Sequence, residues 1–471
     1  MSRQAPPYRP LNSGHATVVW PALPAPVAAQ MTALLMQLDD SQWWTPGQHL
    51  GMQLTQATAL LHHAYRYLAF YRDRLAQAGF VPGKPVTPAV WARIPVLTRA
   101  ELQAAGAALY SPEVPESHGK VYEISSSGST GRPVTARGTS LAQVMWNALT
   151  MREHLWHRRD LSGSLAAIRA FPRGVATYPQ GATSPIWGRA MTDLYPTGRS
   201  DMLTIVSSTE EQLEWLQRVQ PDYLLTYPSA LRELLFLSRD RGVAFPKLRE
   251  VRTISELLPP ETRALCRALW GLDIIDVYST QENGYLAFQC PEHEHYHVQS
   301  EAVLLEVLNE AGEPCRPGEI GQVVVTQLLN FAMPMIRYAI GDMAEVGGTC
   351  SCGRGLPVLN RILGRVRNLL VYPDGRKSRL PVNEIWQEGS LPIRQMQIVQ
   401  HGLDDIEIRL VPGRPFSPPE EELLRDLFRR CCGHAFATRL TYLDDIPRGP
   451  GGKFEDFRCE ISQDGPVKLG D

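Results

Sequence analysis

Between about residues 120 and 290, short apolar runs alternate with amphipathic stretches, and no other feature constrains the fold as much. Val121–Ile124, Tyr223–Thr226, Val251–Ile254 and Ile274–Val277 read as buried strands. Between them lie helix signals. Ser208 and Glu211 form a capping box, Pro228-Ser229 opens a run carrying Leu231, Leu234 and Leu235, and a further stretch runs through Trp270 to Gly271. Strand–helix–strand alternation implies a parallel sheet with helices on both faces, and ligands on such sheets bind beyond the carboxyl ends of the strands. Two loops would sit at such ends. One is Ser125–Pro133 after Val121–Ile124, and the other is Tyr278–Glu282 after Ile274–Val277.

Before this body, the apolar positions Leu54, Ala57, Leu60, Leu61, Ala64 and Leu68 predict one or two amphipathic helices over 52–78, and Thr98 with Glu101 caps another. After it, Val303–Asn309 and Ile320–Leu328 predict a hairpin. Beyond residue 365 the pattern changes to a small α+β unit. Strands are expected at Leu369–Tyr372, Arg394–Gln400, Ile406–Val411 and Thr438–Leu443, with helices at 381–389 and Glu420–Cys431. The expected fold is α/β. A large domain (1–365) has mixed and parallel sheets flanked by helices plus a β-rich subdomain, and a small, mobile α+β domain (366–471) follows.

Composition narrows the partners. Lys plus Arg is 47 against 49 Asp plus Glu, a net charge of −2, with no footprint for nucleic acid or an anionic membrane. No apolar run reaches membrane-spanning length and MSRQAPPYRP lacks the apolar h-region of a secretory signal, so a cytoplasmic monomer or homodimer with reduced thiols is expected.

Five stretches carry candidate chemistry. Ser126-Ser127-Gly128-Ser129-Thr130-Gly131 offers backbone N–H groups and hydroxyls that suit a polyphosphate, or a surface linker; it lacks the Lys-Ser or Lys-Thr of a Walker loop. Tyr278 offers a flat face for a base and Glu282 an oxygen for Mg²⁺; read locally, they are equally a core tyrosine and a solvated glutamate. Asp342 suits a ribose diol or a turn cap, and Arg365 adds a guanidinium for ribose or phosphate. Lys453, framed by glycines in Ile446–Phe454, is a mobile charge for a phosphate or a solvated side chain. Arg169–Arg173 with Phe171, and Tyr285 and Phe288, are candidates to line a pocket for a flat or apolar group, and equally for core packing.

The cysteines form a separate constellation. Cys290 with His297, and Cys350 with Cys352, suit a structural tetrahedral zinc site, with His295 or His293 as substitutes for His297. The alternative is solvated histidines and free thiols. The remaining cysteines, Cys266, Cys315, Cys431, Cys432 and Cys459, show no such pattern.

Taken in order, SSSGSTGRP, YSTQENG, RYAIGD, GRVRN and PGGKFE resemble the adenylate-forming superfamily of acyl-CoA synthetases and adenylation domains, most nearly its phenylacetate-CoA ligase-like branch, over residues 55–461. The resemblance implies that Ser126, Ser127, Gly128, Ser129, Thr130 and Gly131 hold the ATP phosphates. Tyr278 would lie against adenine, Glu282 would ligate Mg²⁺, and Asp342 and Arg365 would bind ribose. Lys453 would contact the carboxylate and α-phosphate, and the small domain would swing about Arg367. It implies activation of an aryl or acyl carboxylic acid as acyl-AMP, then transfer to a thiol of CoA or a carrier protein. An amine acceptor is the alternative, and a non-catalytic nucleotide-binding protein the third reading. The chain departs from the family pattern at Ser279, Gln281, Val134 and Arg367, which bears on rate and on the balance of the two half-reactions.

Overall fold

The computed structural model describes residues 11–18, 20–125, 135–365, 369–380, 385, 391–449 and 451–461. A two-stranded hairpin, β1 (Val121–Ser125) and β2 (Thr135–Thr139), comes first. Next come β3 (Leu165–Arg169), β4 (Ala182–Ser184), β5 (Ser200–Thr204), β6 (Tyr223–Thr226), β7 (Glu250–Ile254) and β8 (Ile274–Thr280). The chain then turns to β9 (Gly284–Gln289), β10 (Tyr296–Val298), β11 (Val303–Leu308), β12 (Ile320–Gln327), β13 (Tyr338–Val346) and β14 (Val358–Arg365). All strands from β3 to β14 join one twelve-stranded sheet in the order β11-β12-β13-β14-β10-β9-β8-β7-β6-β3-β5-β4.

Within it, β5, β3, β6, β7 and β8 are parallel, so their carboxyl ends share one edge. β9 reverses direction against β8, and every later ladder is antiparallel. The β-rich part is thus continuous with the parallel sheet. One expectation is corrected here: Val121–Ile124 is not a strand of the parallel sheet. It pairs antiparallel with β2 in its own hairpin, because the partner that completes its backbone hydrogen bonds lies only ten residues downstream.

The helices form where local signals are strongest. Glu211 N–H donates to Ser208 Oγ at 3.2 Å and Ser208 N–H to Glu211 Oε2 at 2.9 Å, opening the helix Thr209–Val219. In the helix Pro228–Asp240, proline occupies the first turn and Leu231, Leu234 and Leu235 are wholly buried, each contributing roughly 1.5–3 kcal/mol. The run at 52–78 resolves into two helices, Pro46–Tyr67 and Ala69–Gln77.

The last hundred residues build a separate core. A short pair, β15 (Leu369–Val371) and β16 (Lys377–Arg379), precedes a four-stranded sheet of β17 (Ile393–Gly402), β18 (Asp405–Pro412), β19 (Ala437–Tyr442) and β20 (Phe457–Cys459). Its order is β19-β18-β17-β20, and the helix Pro418–Cys432 packs Leu424, Leu427 and Phe428 onto it. The helix expected over 381–389 lies, apart from Ile385, outside the described residues. Among the described residues no helix is long and apolar enough to cross a membrane.

Candidate active site

The parallel strands put five chain segments side by side at one edge. In sheet order these are Ile205 after β5, Ala170 after β3, Tyr227 after β6, Glu256 after β7, and the turn bearing Glu282 after β8. Adjacent strands lie about 4.8 Å apart, so the row from Tyr227 to the Glu282 turn spans on the order of 10 Å. Glu282 is half-buried in the β8–β9 turn, next to the fully buried Asn283.

Tyr278 and Asp342 meet. The Tyr278 hydroxyl donates to Asp342 Oδ2 at 2.8 Å, although 64 residues separate them in sequence. Asp342 faces Arg365 directly across the β13–β14 ladder. The positions expected at adenine and ribose therefore converge where β8 and β13 approach. The serine–glycine loop Ser126–Gly131 and Arg367 lie outside the described residues, as does the Arg365 side chain.

The lysine loop reaches the same edge from the small domain. Gly452 has a positive φ of 72°, and a Cβ there would come within 2.6 Å of Ile205 Cγ2, 3.3 Å of Ala170 and 3.5 Å of Tyr227. A side chain at 452 is excluded by that contact, and Lys453 follows it, half-buried. The loop closes on itself through Gly449 N–H to Lys453 O and Gly452 N–H to Gly449 O, both 2.8 Å. Sequence reasoning assigns no role to three residues that fasten this loop: Arg448, Glu233 and Glu256. The one local signal is a guanidinium five residues before Lys453. Arg448 donates to Ser229 Oγ at 2.6 Å and pairs with Glu233 at 3.2 Å and Glu256 at 3.5 Å. Glu256 also accepts Phe454 N–H at 2.6 Å and Ser229 N–H at 3.0 Å. Burial pushes the Glu256 carboxyl above its ordinary range, against the pull of Arg448 and the two peptide N–H groups.

The pocket candidates divide. Tyr285 stacks on Trp146 at 3.9 Å and 15° and bonds Thr150, whereas Phe288 is wholly buried core. Phe171 packs under the Arg169 guanidinium at 4.7 Å, beside the edge where the lysine loop rests.

The cysteine–histidine constellation also assembles. Ligand atoms of Cys290, His295, His297 and Cys350 all lie within 4.8 Å of one another. The mutually close set thus contains both His295 and His297, where the sequence expectation holds one imidazole. Alternation explains this: residues two apart on an extended segment share a face. Cys352 Sγ is 3.4 Å from His297 Nε2, so it stands at the rim of the set. His293 instead contacts Ser351 Oγ at 2.7 Å. The donor set suits zinc. Cys290 and Cys350 sulfurs are 3.9 Å apart, close to the ~3.8 Å edge of a tetrahedron with 2.3 Å metal–sulfur bonds. Backbone N–H groups of Glu292 and Cys352 donate to the sulfurs of Cys290 and Cys350, as thiolates favour. Burial pushes the Cys350 thiol up to about 12 and the His297 imidazole down to about 3, so bare side chains here favour their neutral forms.

Comparison with known proteins places the chain among related sequences and folds. A family model for the CapK C-terminal domain matches residues 379–457. The phenylacetate-coenzyme A ligase of Thermus thermophilus is 26% identical over 395 residues, which is 78% of this chain and 82% of that protein. Among solved structures, 2-hydroxyisobutyryl-CoA ligase in its postadenylation state superposes with a TM-score of 0.68 at 17% identity, over 90% of this chain and 91% of that one. The same enzyme with CoA in its thioesterification state gives 0.56 at 17% identity, over 89% and 92%. The fold is therefore that of the adenylate-forming ligases. Within that class the chain resembles the phenylacetate-CoA ligases.

Proposed function

We propose that this chain is an AMP-forming acid–thiol ligase. It would join a carboxylic acid to AMP, release pyrophosphate, and pass the acyl group to a thiol, with CoA as the first acceptor to test. The single observation that carries this reading is the docking of the lysine loop on the carboxyl edge of the parallel sheet, in a row with the Glu282 turn. The relationship to phenylacetate-CoA ligases supports it.

The chemistry explains why such an edge is needed. A carboxylate is already anionic and resists nucleophilic attack; joined to AMP it acquires a good leaving group. The protein must align two anions and neutralise the charge that develops as pyrophosphate departs. Lys453 would supply a cation to the carboxylate and α-phosphate, and Glu282 would hold Mg²⁺, which supplies Lewis acidity toward phosphate oxygens when bound. The hydrogen bond from Tyr278 fixes the orientation of the Asp342 carboxylate, which would accept from a ribose hydroxyl. Residues 126–131 would cradle the phosphates, and Arg365 would reach the ribose. Cys290, His295, His297 and Cys350 would hold a structural zinc, tying the loop around residue 350 to β10 and closing all ligand positions to substrate. The domains divide near residue 365, and we assign the protein to the cytoplasm, where such thiols stay reduced.

The test is product analysis. Protein, ATP and Mg²⁺ are incubated with phenylacetate, substituted benzoates, hydroxy acids and fatty acids, with and without CoA. Mass spectrometry should find an acyl-adenylate with at least one acid and its thioester once CoA is added. Amide formation with added amines, and no thioester, would redirect the second step; no adenylate with any acid would contradict the proposal.

A further inference from the structure

The row of contacts around Arg448 is more than the packing of one domain on another. Its large-domain members come from two places, Ser229, Arg232 and Glu233 in the first turns of the helix Pro228–Asp240, and Glu256 just after β7. Its small-domain members bracket the lysine. Arg448 stands five residues before Lys453, Phe454 and Asp456 just after it, and Arg448 also reaches Gly452 O at 3.5 Å, inside the loop. Arg232, 6% exposed, pairs with Asp456 at 2.8 Å. Both ends of the lysine loop are therefore fastened to the large domain by charge-assisted bonds, and Arg448 also shapes the loop it fastens.

The groups involved are well shielded: the Arg448, Glu233 and Glu256 side chains are 13%, 12% and 7% exposed. A buried carboxylate that lost its only close guanidinium inside a fixed core would carry a large penalty. Here the partners leave together. If the small domain moves away, Glu256, Glu233 and Arg448 all return to water, so neither state strands a buried charge.

We infer that Arg448 and Glu256 are positioning residues, a reversible catch that holds Lys453 at the sheet edge for adenylation and opens before the acyl group is transferred. This inference rests on the two-step ligase reading above. It does not make either residue a reactant: both act through the placement of Lys453.

Two measurements on the full chain test it. The first needs no substrate. Hydrogen exchange of peptides covering residues 446–457 should speed up by about tenfold or more in Arg448→Ala, as charged hydrogen bonds are lost, while β17 and β18 stay as protected as in the wild type. Unchanged loop exchange would overturn the catch, and so would loss of protection across the whole four-stranded sheet, which would mark Arg448 as a fold support. The second uses an acid that gives an adenylate in the panel above. Acid-dependent pyrophosphate exchange should fall ~100-fold in Arg448→Ala, with Arg448→Lys and Glu256→Gln in between. Thioester formation from synthetic acyl-adenylate and CoA should stay within about threefold, because that step needs the catch open. Equal loss in both half-reactions would overturn the inference. Silence of the wild type with every acid would count against the ligase reading, and the exchange measurement would still decide the catch.

Discussion

Two clusters of carboxylates and guanidiniums lie on either side of the parallel sheet's function. Glu153, wholly buried in the helix Ser140–Trp156, receives Arg159 at 2.6 and 2.7 Å and Arg252 at 2.9 Å, and Arg159 also grips Glu250 at 2.5 Å. Burial opposes ionisation of Glu153, but the two guanidiniums outweigh it and hold the carboxyl well below its usual range. Every member belongs to the large domain. Glu256 has one guanidinium at 3.5 Å, borrows two peptide N–H groups, and has its carboxyl pushed the other way. The same residue types thus make a permanent rivet in one place and a releasable joint in the other. What separates them is whether the partners share one rigid body and how fully each anion is compensated.

The largest expected effect tests the rivet. Glu153→Ala leaves two guanidiniums without their shared anion and should cost ~3–5 kcal/mol of stability in denaturant unfolding. Glu256→Gln should cost less than about 1 kcal/mol in the same assay, because its site can open to water. Comparable losses would erase the distinction. The rivet also has a pH signature. The folded carboxyl of Glu153 is depressed, so its contribution is complete above the ordinary glutamate range and is lost as pH falls below it.

Metal removal is the next largest. Purified protein should contain about one zinc per chain, and chelation should lower the melting temperature by roughly 5–10 °C. Cys350→Ser should abolish the metal, whereas Cys352→Ser, at the rim of the cluster, should only weaken its retention. Full occupancy in Cys350→Ser would exclude the proposed ligand set.

A smaller change concerns the nucleotide side of the joint. Tyr278→Phe removes the hydroxyl that orients Asp342 and should raise the KM for ATP by about fivefold, near 1 kcal/mol, with stability little altered. The smallest lies inside the small domain. His401 contacts Glu407 at 3.1 Å and Glu460 at 2.7 Å, and the Glu407 hydrogen bond first, then Glu460, raise its pKa. A raised histidine stabilises fully below its unfolded pKa and loses that contribution as pH rises through the folded value. His401→Gln should therefore cost under about 1 kcal/mol at pH 5.5 and less at pH 8.5, read by thermal unfolding.

Much of the scaffold is local information. The capping pairs Thr98–Glu101 and Ser208–Glu211, and the leucines of the helix Pro228–Asp240, are set by neighbours three or four residues away, so spacing alone reveals them. The carboxyl-edge row follows from alternation plus the parallel-sheet rule. What spacing does not carry is pairing between distant segments. The reversal at β9 that welds the antiparallel strands to the parallel ones depends on a ladder formed after the turn, and the β1–β2 hairpin withholds a strand that composition alone adds to the main sheet. The catch is the extreme case: Arg448 and Glu256 are 192 residues apart, and each alone looks like a surface charge. The metal cluster was legible only in part: the Cys290, His297 and Cys350 spacing pointed to it, but that His295 joins His297 in place of Cys352 depends on how the distant Cys350 segment packs against this run.

The most direct test of the central claim is acid-dependent exchange of pyrophosphate into ATP by the wild type and Lys453→Ala, side by side with their melting curves. The account predicts exchange by the wild type with at least one carboxylic acid, and a loss of about 100-fold or more in the variant at unchanged melting temperature. Exchange at near wild-type rate in Lys453→Ala would contradict it.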